Sequence, residues 1–230
     1  ADHYWNPHSN VTYGRYESGL ATGRDLFAGV DRNEVVYPHL RRFVDRVLDV
    51  ALAYDHVIYN VNNESRAGET WERHWAEYVH ERAAEAGESV AVTSMTMFPG
   101  QSVQRVLDHP DLFEFVDLSQ VDQRSKGEAG QAHWDAVQAW RAEVADAVGP
   151  RPINHVKVYG SDAENPSAGS ERDAIERFWR NLVGGCAAVR FHRLRQWGIG
   201  LDERARAHVE SARTVAEAVD LPALEPRPDL

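Results

Sequence analysis

The chain has 230 residues, 43% of them hydrophobic and 27% charged, enough for a sizeable core in one domain of ordinary globular composition. Its 36 acidic against 25 basic residues give a net charge of −11, which argues against nucleic-acid and anionic membrane partners and suits a neutral substrate. Cys186 is the only cysteine, so an intrachain disulfide and a Cys-rich zinc site are excluded, and no apolar run approaches the roughly 20 residues of a membrane span.

The chain opens at Ala1 without a methionine or a signal-like stretch, which predicts a processed, trimmed or partial sequence. Residues 1–34, rich in Gly, Asn, Asp and aromatics, show no sustained period and predict a long loop region. Leu40, Phe43, Val44, Val47, Leu48 and Ala51 then recur at helical spacing, with Pro38 where a first helical turn tolerates it. Val57 to Val61 predicts a strand that ends in Asn62, Asn63 and Glu64. Trp71, Trp75, Tyr78 and Val79 mark a helix, Ser89 to Thr93 a strand, and Phe113 to Leu118 another strand. Val137, Trp140, Val144 and Val148 mark the next helix, followed by a strand over Ile153 to Tyr159. Ser170 and Asp173 resemble a capping box that opens a helix carrying Ile175, Phe178, Trp179 and Leu182. Gly184-Gly185 reads as a tight turn into a strand over Ala187 to Phe191, and Ala205, Val209, Ala212 and Ala216 line a last helix before an exit tail, 221–230.

Strands alternating with helices predict βαβ units on a parallel sheet within a single domain, 1–230. About five strands are legible, where a closed (β/α)8 barrel has eight. The expected fold is therefore α/β, a (β/α)8 TIM-barrel type that is incomplete and covers about strands four to eight. In such folds the chemistry gathers at the C-terminal ends of the strands. There the chain places Asn62, Asn63 and Glu64, then Ser94, then Ser119, Gln120 and Asp122, then Tyr159, Ser161 and Asp162, and finally His192 and Arg193. Many hydrogen-bonding groups converging in one place suit a polyhydroxylated ligand, and Tyr4, Trp5 and Trp197 are candidates to stack on a sugar ring.

The stretch from Tyr54 to Glu64 resembles the fourth strand of clan A glycoside hydrolases, and more narrowly of their apiosidase-like, collagen-binding-associated relatives. Trp5 to Val11, including Asn6 and Asn10, resembles the loop after the third strand. Gly184 to Arg193, running on into Gly198 to Leu201 and Ser211 to Arg213, is similar to the eighth strand and closing helix. The resemblance implies that Glu64 is the general acid/base and that strands one to three lie outside this sequence. It also implies a nucleophilic Glu at the end of strand seven, but Asn154 to Asp162 has none. Asp162 or Glu164 could serve, since either can attack an anomeric carbon and the chemistry needs one protonated and one ionised carboxylate.

The expected function is thus a glycoside hydrolase acting on a neutral carbohydrate substrate. Asn62, Asn63, Gln120, Tyr159, His192 and Trp197 would bind that substrate together with Trp5, Asn6 and Asn10. Two alternatives stay open, a non-catalytic carbohydrate-binding barrel and a lyase or aldolase-type enzyme using Lys157. An inward Lys157 needs a carboxylate partner or the substrate, whereas an outward one is merely solvated. Glu77 and His80 have the i, i+3 spacing of a di-iron bundle, but that motif should occur twice, so they read as a helix-surface pair. No metal or organic cofactor is implied. The missing barrel strands or a second copy of the chain are the expected protein partners, because an open sheet edge invites pairing.

Overall fold

The computed structural model of the protein describes residues 4–27, 33–65, 67–120, 131–159, 170–192 and 201–224. Helices alternate with parallel strands, as the sequence pattern requires of an α/β chain. The chain divides into two compact units, one formed by Ala1–Met97 with Asp111–Glu114 and the other by Phe98–Pro110 with Phe115–Leu230.

The first unit holds α1 (Arg15–Ser18), a 3-10 turn (Gly23–Phe27), α2 (Tyr37–Ala51), β1 (Ile58–Asn63), α3 (Glu69–Ala86) and β2 (Ala91–Met95). Its two strands pair in parallel, and α3 is the crossover that joins them. The packed face of α3 carries Trp71, Trp75, Tyr78, Val79 and Ala83, all buried at the spacing of one helical stripe. The helix ends where Gly87 takes the left-handed conformation (φ 76°) and returns its N–H to the carbonyls of Ala83 and Ala84. Residues 4–27 contain two short helical turns and no strand.

The second unit holds α4 (Pro99–Asp108), β3 (Val116–Asp117), α5 (Gln131–Val148), β4 (Ile153–Val158), α6 (Glu171–Val183), β5 (Ala188–Phe191) and α7 (Glu203–Ala218). The strand order is β3-β4-β5, parallel throughout. Val158, Ala174, Phe178, Phe191 and Ala205 form a core in which the rings of Phe178 and Phe191 stack at 4.4 Å. Each such buried ring stabilises the fold by about 1.5–3 kcal/mol relative to exposure. The capping box forms as expected, since Ser170 Oγ accepts from Asp173 N and Asp173 Oδ2 accepts from Ser170 N.

Two elements differ from expectation. Helix α4 has no counterpart in the sequence reading, because its apolar pair Val103 and Val106 is too short a signal behind Pro99-Gly100. The strand expected over Phe113 to Leu118 pairs only at Val116 and Asp117, while Phe113 and Phe115 are buried as side chains without extending the ladder. Among the described residues there are five strands in two sheets and no closed barrel.

Candidate functional site

In the first unit the site is built at the C-terminal end of β1. Residues Ile58, Tyr59 and Asn60 pair with Ala91, Val92 and Thr93, but Asn63 pairs with Met95, so β1 spends three residues where β2 spends two. The register shifts there by one residue, as it does in a β-bulge, a device that re-aims the side chains beyond it. Asn60 Oδ1 fills the gap in the ladder by accepting from Met95 N at 3.1 Å. Glu64 then donates its own N–H to Met95 O at 2.8 Å and takes φ 52°. It is the one non-glycine with positive φ among the described residues. An L-residue in that region carries a steric cost of roughly 1–2 kcal/mol.

The turn that holds Glu64 is braced by Asn62, which is 4% exposed. Its Nδ2 donates to Glu72 Oε1 at 2.6 Å, and its Oδ1 accepts from Ser65 N and Ser65 Oγ. The amide of Asn62 is therefore committed to shaping the loop. Asn63, next to it, is exposed and lines a cavity of about 1150 Å³ together with Trp5 and Asn6. Three of the residues expected at the site thus line one cavity, whose lining does not include Glu64. Asn10 has a local task instead, its Oδ1 accepting from Thr12 N and Tyr13 N and its Nδ2 donating to Tyr4 O.

In the second unit the corresponding strand ends carry Asp117, Ser119 and Gln120 after β3, Lys157 and Tyr159 at β4, and His192 after β5. Tyr159 and His192 stack with ring centroids 4.2 Å apart, both half-buried. Asp117 is buried and accepts from Ser119 N and Asn154 Nδ2. Burial raises its carboxyl above the usual range, and those hydrogen bonds oppose the rise. The sequence reading passed over Asp117, whose only signal was one carboxylate inside an apolar run.

A second register shift falls beside Lys157 in β4. His155 pairs with Val189 and Val158 with Phe191, again three residues against two. His155 packs its ring on His133 of α5, and Val158 lies in the core beneath α6. Strict alternation would place those two on opposite faces; the extra residue lets both face the helices. Lys157 lies within that shift, buried, with the charge of Arg190 of β5 nearby. Its burial does not fit a solvated side chain, one of the two orientations left open by the sequence. Lys157 is 6% exposed, and burial, with the neighbouring charge of Arg190, lowers its ammonium to about 8.

Asp162, Glu164 and Trp197, with Asp122, Ser161 and Arg193, lie outside the described residues. Glu77 and His80 form no joint site, because Glu77 meets Arg73 and His80 meets Glu114. The Glu114 contact raises the His80 imidazole, an effect that burial opposes. Among the described residues no group of three or more His, Cys, Asp or Glu could hold a metal ion, and no helix is long and apolar enough to cross a membrane. Compared with known proteins, the chain matches no family model, no curated protein and no solved structure.

Proposed function

We propose that the protein is a glycoside hydrolase-like enzyme of incomplete (β/α)8 type, acting on a neutral glycan with Glu64 as general acid/base. The observation that carries the reading is the backbone of Glu64. Its left-handed conformation is costly for any side chain but glycine, and it sits behind a bulge at the C-terminal end of a parallel strand. Conformational cost of this kind gathers where a side chain is needed at one place. Asn63, the residue before Glu64, lines a cavity with Trp5 and Asn6, which offer a ring for the apolar face of a sugar and amides for its hydroxyls, although Glu64 itself is not part of that lining.

In this reading Glu64 protonates the glycosidic oxygen as the bond to the anomeric carbon breaks, then takes a proton from the attacking water. Asp162 and Glu164, the candidates for the second carboxylate, lie outside the described residues. The test is turnover of a panel of neutral oligosaccharides by the native protein and by Glu64→Gln. Loss of a proton donor predicts a fall of about 10²–10⁴-fold on unactivated glycans and a much smaller fall on aryl glycosides, whose leaving group needs no proton. Equal turnover of unactivated glycans by both proteins would overturn the assignment. Glycan binding without turnover in either protein would favour the carbohydrate-binding reading.

One observation favours a second reading. Lys157, buried at the end of β4, has an ammonium lowered to about 8, so a usable fraction is neutral amine near pH 7. Such an amine can add to a carbonyl carbon and expel water, leaving an imine, as a lyase or aldolase requires. Borohydride reduction in the presence of a sugar aldehyde would fix the adduct on Lys157. An unlabelled Lys157 would set this reading aside.

A further inference from the structure

Helix α2 is covered over only half of its apolar surface. At about 100° per residue its apolar side chains span an arc roughly 160° wide, beyond the stripe of about 100° that one core contact needs. Leu40 and Leu48, in one half of the arc, are 6% and 1% exposed, whereas Phe43, Val47 and Val50, in the other half, are 61%, 44% and 54% exposed. Beside this uncovered half lies the edge of β1 that β2 does not pair, and both border the cavity of about 1150 Å³. That volume exceeds the roughly 300–1,000 Å³ of small-molecule sites. Its wall includes Phe43 and Val47 of α2, Ile58 and Tyr59 of β1, and Trp75 of α3. The Tyr59 hydroxyl and Trp75 Nε1 are buried there with no hydrogen-bond partner among the described residues.

Helix α2 is fastened alongside α3. Arg41 Nε donates to Tyr78 Oη at 3.0 Å, and the Asp45 carboxylate accepts from Tyr78 and Arg82. Packed helices lie about 8–10 Å apart and paired strands about 4.8 Å apart, so one helix step spans two strand positions. Helix α3 packs over β1 and β2, and α2 lines the cavity with residues 58–61 of β1; one helix step from α3 on that side is the position one strand beyond β1. A helix that leads into β1 through a right-handed crossover covers a strand parallel to β1 at that position.

We propose that the cavity beside β1 receives one further β-strand, an extended and uncharged polypeptide segment that runs parallel to β1. Alternate apolar residues of that segment would face Phe43 and Val47 of α2. This goes beyond the hydrolase reading and stands without it. The charge pattern agrees: the chain carries −11 overall, yet residues 57–63 carry no charge, and Arg24 is the one charged residue among the described residues that line the cavity. A neutral strand therefore seats without burying an unpaired carboxylate, and its backbone completes the ladder at the open edge. A second copy does not fit in this way. Twofold pairing of β1 with β1 would bring α2 of one copy onto α3 of the other, because both helices then overlie the same strands.

The experiment uses the whole protein and a blocked heptapeptide, Ser-Val-Ala-Val-Thr-Ser-Met, whose sequence is that of residues 89–95 and already pairs in parallel with β1 on its other edge. Amide hydrogen exchange is followed across 57–63 at increasing peptide concentration. The expected result is at least tenfold slower exchange at alternate residues of β1. That protection should be lost in Phe43→Glu and in Val47→Glu, both at exposed positions where the fold tolerates charge. No protection at millimolar peptide, or protection unchanged in Val47→Glu, overturns the proposal. Protection of β1 that appears with protein concentration alone would assign the surface to a second copy and overturn it equally.

Discussion

The backbone of Glu64 can be weighed with two substitutions that remove the same carboxylate. Glu64→Ala and Glu64→Gly both delete every atom beyond Cβ, so whatever the carboxylate touches is lost from each alike. What separates them is the left-handed φ of 52°. An alanine there keeps the steric cost of roughly 1–2 kcal/mol, which a glycine escapes. Against this, glycine loses about 0.4–1 kcal/mol through the greater freedom of its unfolded chain. The balance favours Glu64→Gly over Glu64→Ala by about 0.5–1 kcal/mol, or roughly 1–4 °C in melting temperature for a chain of this length. At an ordinary site the order is the reverse, so the sign alone decides. Urea or thermal denaturation of the two variants, measured side by side, gives the answer. If Glu64→Ala is the more stable, the strain assigned to this turn is absent and the main support for Glu64 as a functional residue goes with it.

Acid should destabilise the second unit through His155, 1% exposed. Burial and the nearby charges of His133 and Arg177 hold its imidazole well below the ordinary value of 6.5. Its folded form refuses a proton that the unfolded chain accepts below that value, so stability is full above about pH 6.5 and falls by up to about 1.4 kcal/mol per pH unit beneath it. Unfolding free energies between pH 7 and 5 should lose that slope in His155→Phe; an unchanged slope would assign the acid sensitivity elsewhere. Gly184 is the other sensitive point, because a Cβ built there would lie 2.4 Å from the Trp134 ring and 2.5 Å from the Arg180 carbonyl. Gly184→Ala should cost about 1–3 kcal/mol by denaturant titration, as overpacking does. An effect below 0.5 kcal/mol would show that Trp134 yields freely.

The sequence by itself determined the alternation. Apolar residues recurring every three or four positions placed α2, α3, α5, α6 and α7, and short apolar runs placed β1, β2, β4 and β5, because burial against one neighbour leaves a period in the chain itself. It also placed Asn63 and Glu64 at a strand end and Ser170 at a helix start, both of which depend on local order alone. It did not disclose α4, whose two buried valines are too few to set a period, nor that β3 shrinks to two residues. Only the tertiary structure decided which way the site residues point. The bulges at 60–63 and 155–158 come from how β1 meets β2 and how β4 meets β5, and no count along one strand can reveal a residue its neighbour leaves unpaired. The shift in β1 precedes the left-handed turn of Glu64 and the bracing of that turn by Asn62, and the shift in β4 falls beside Lys157.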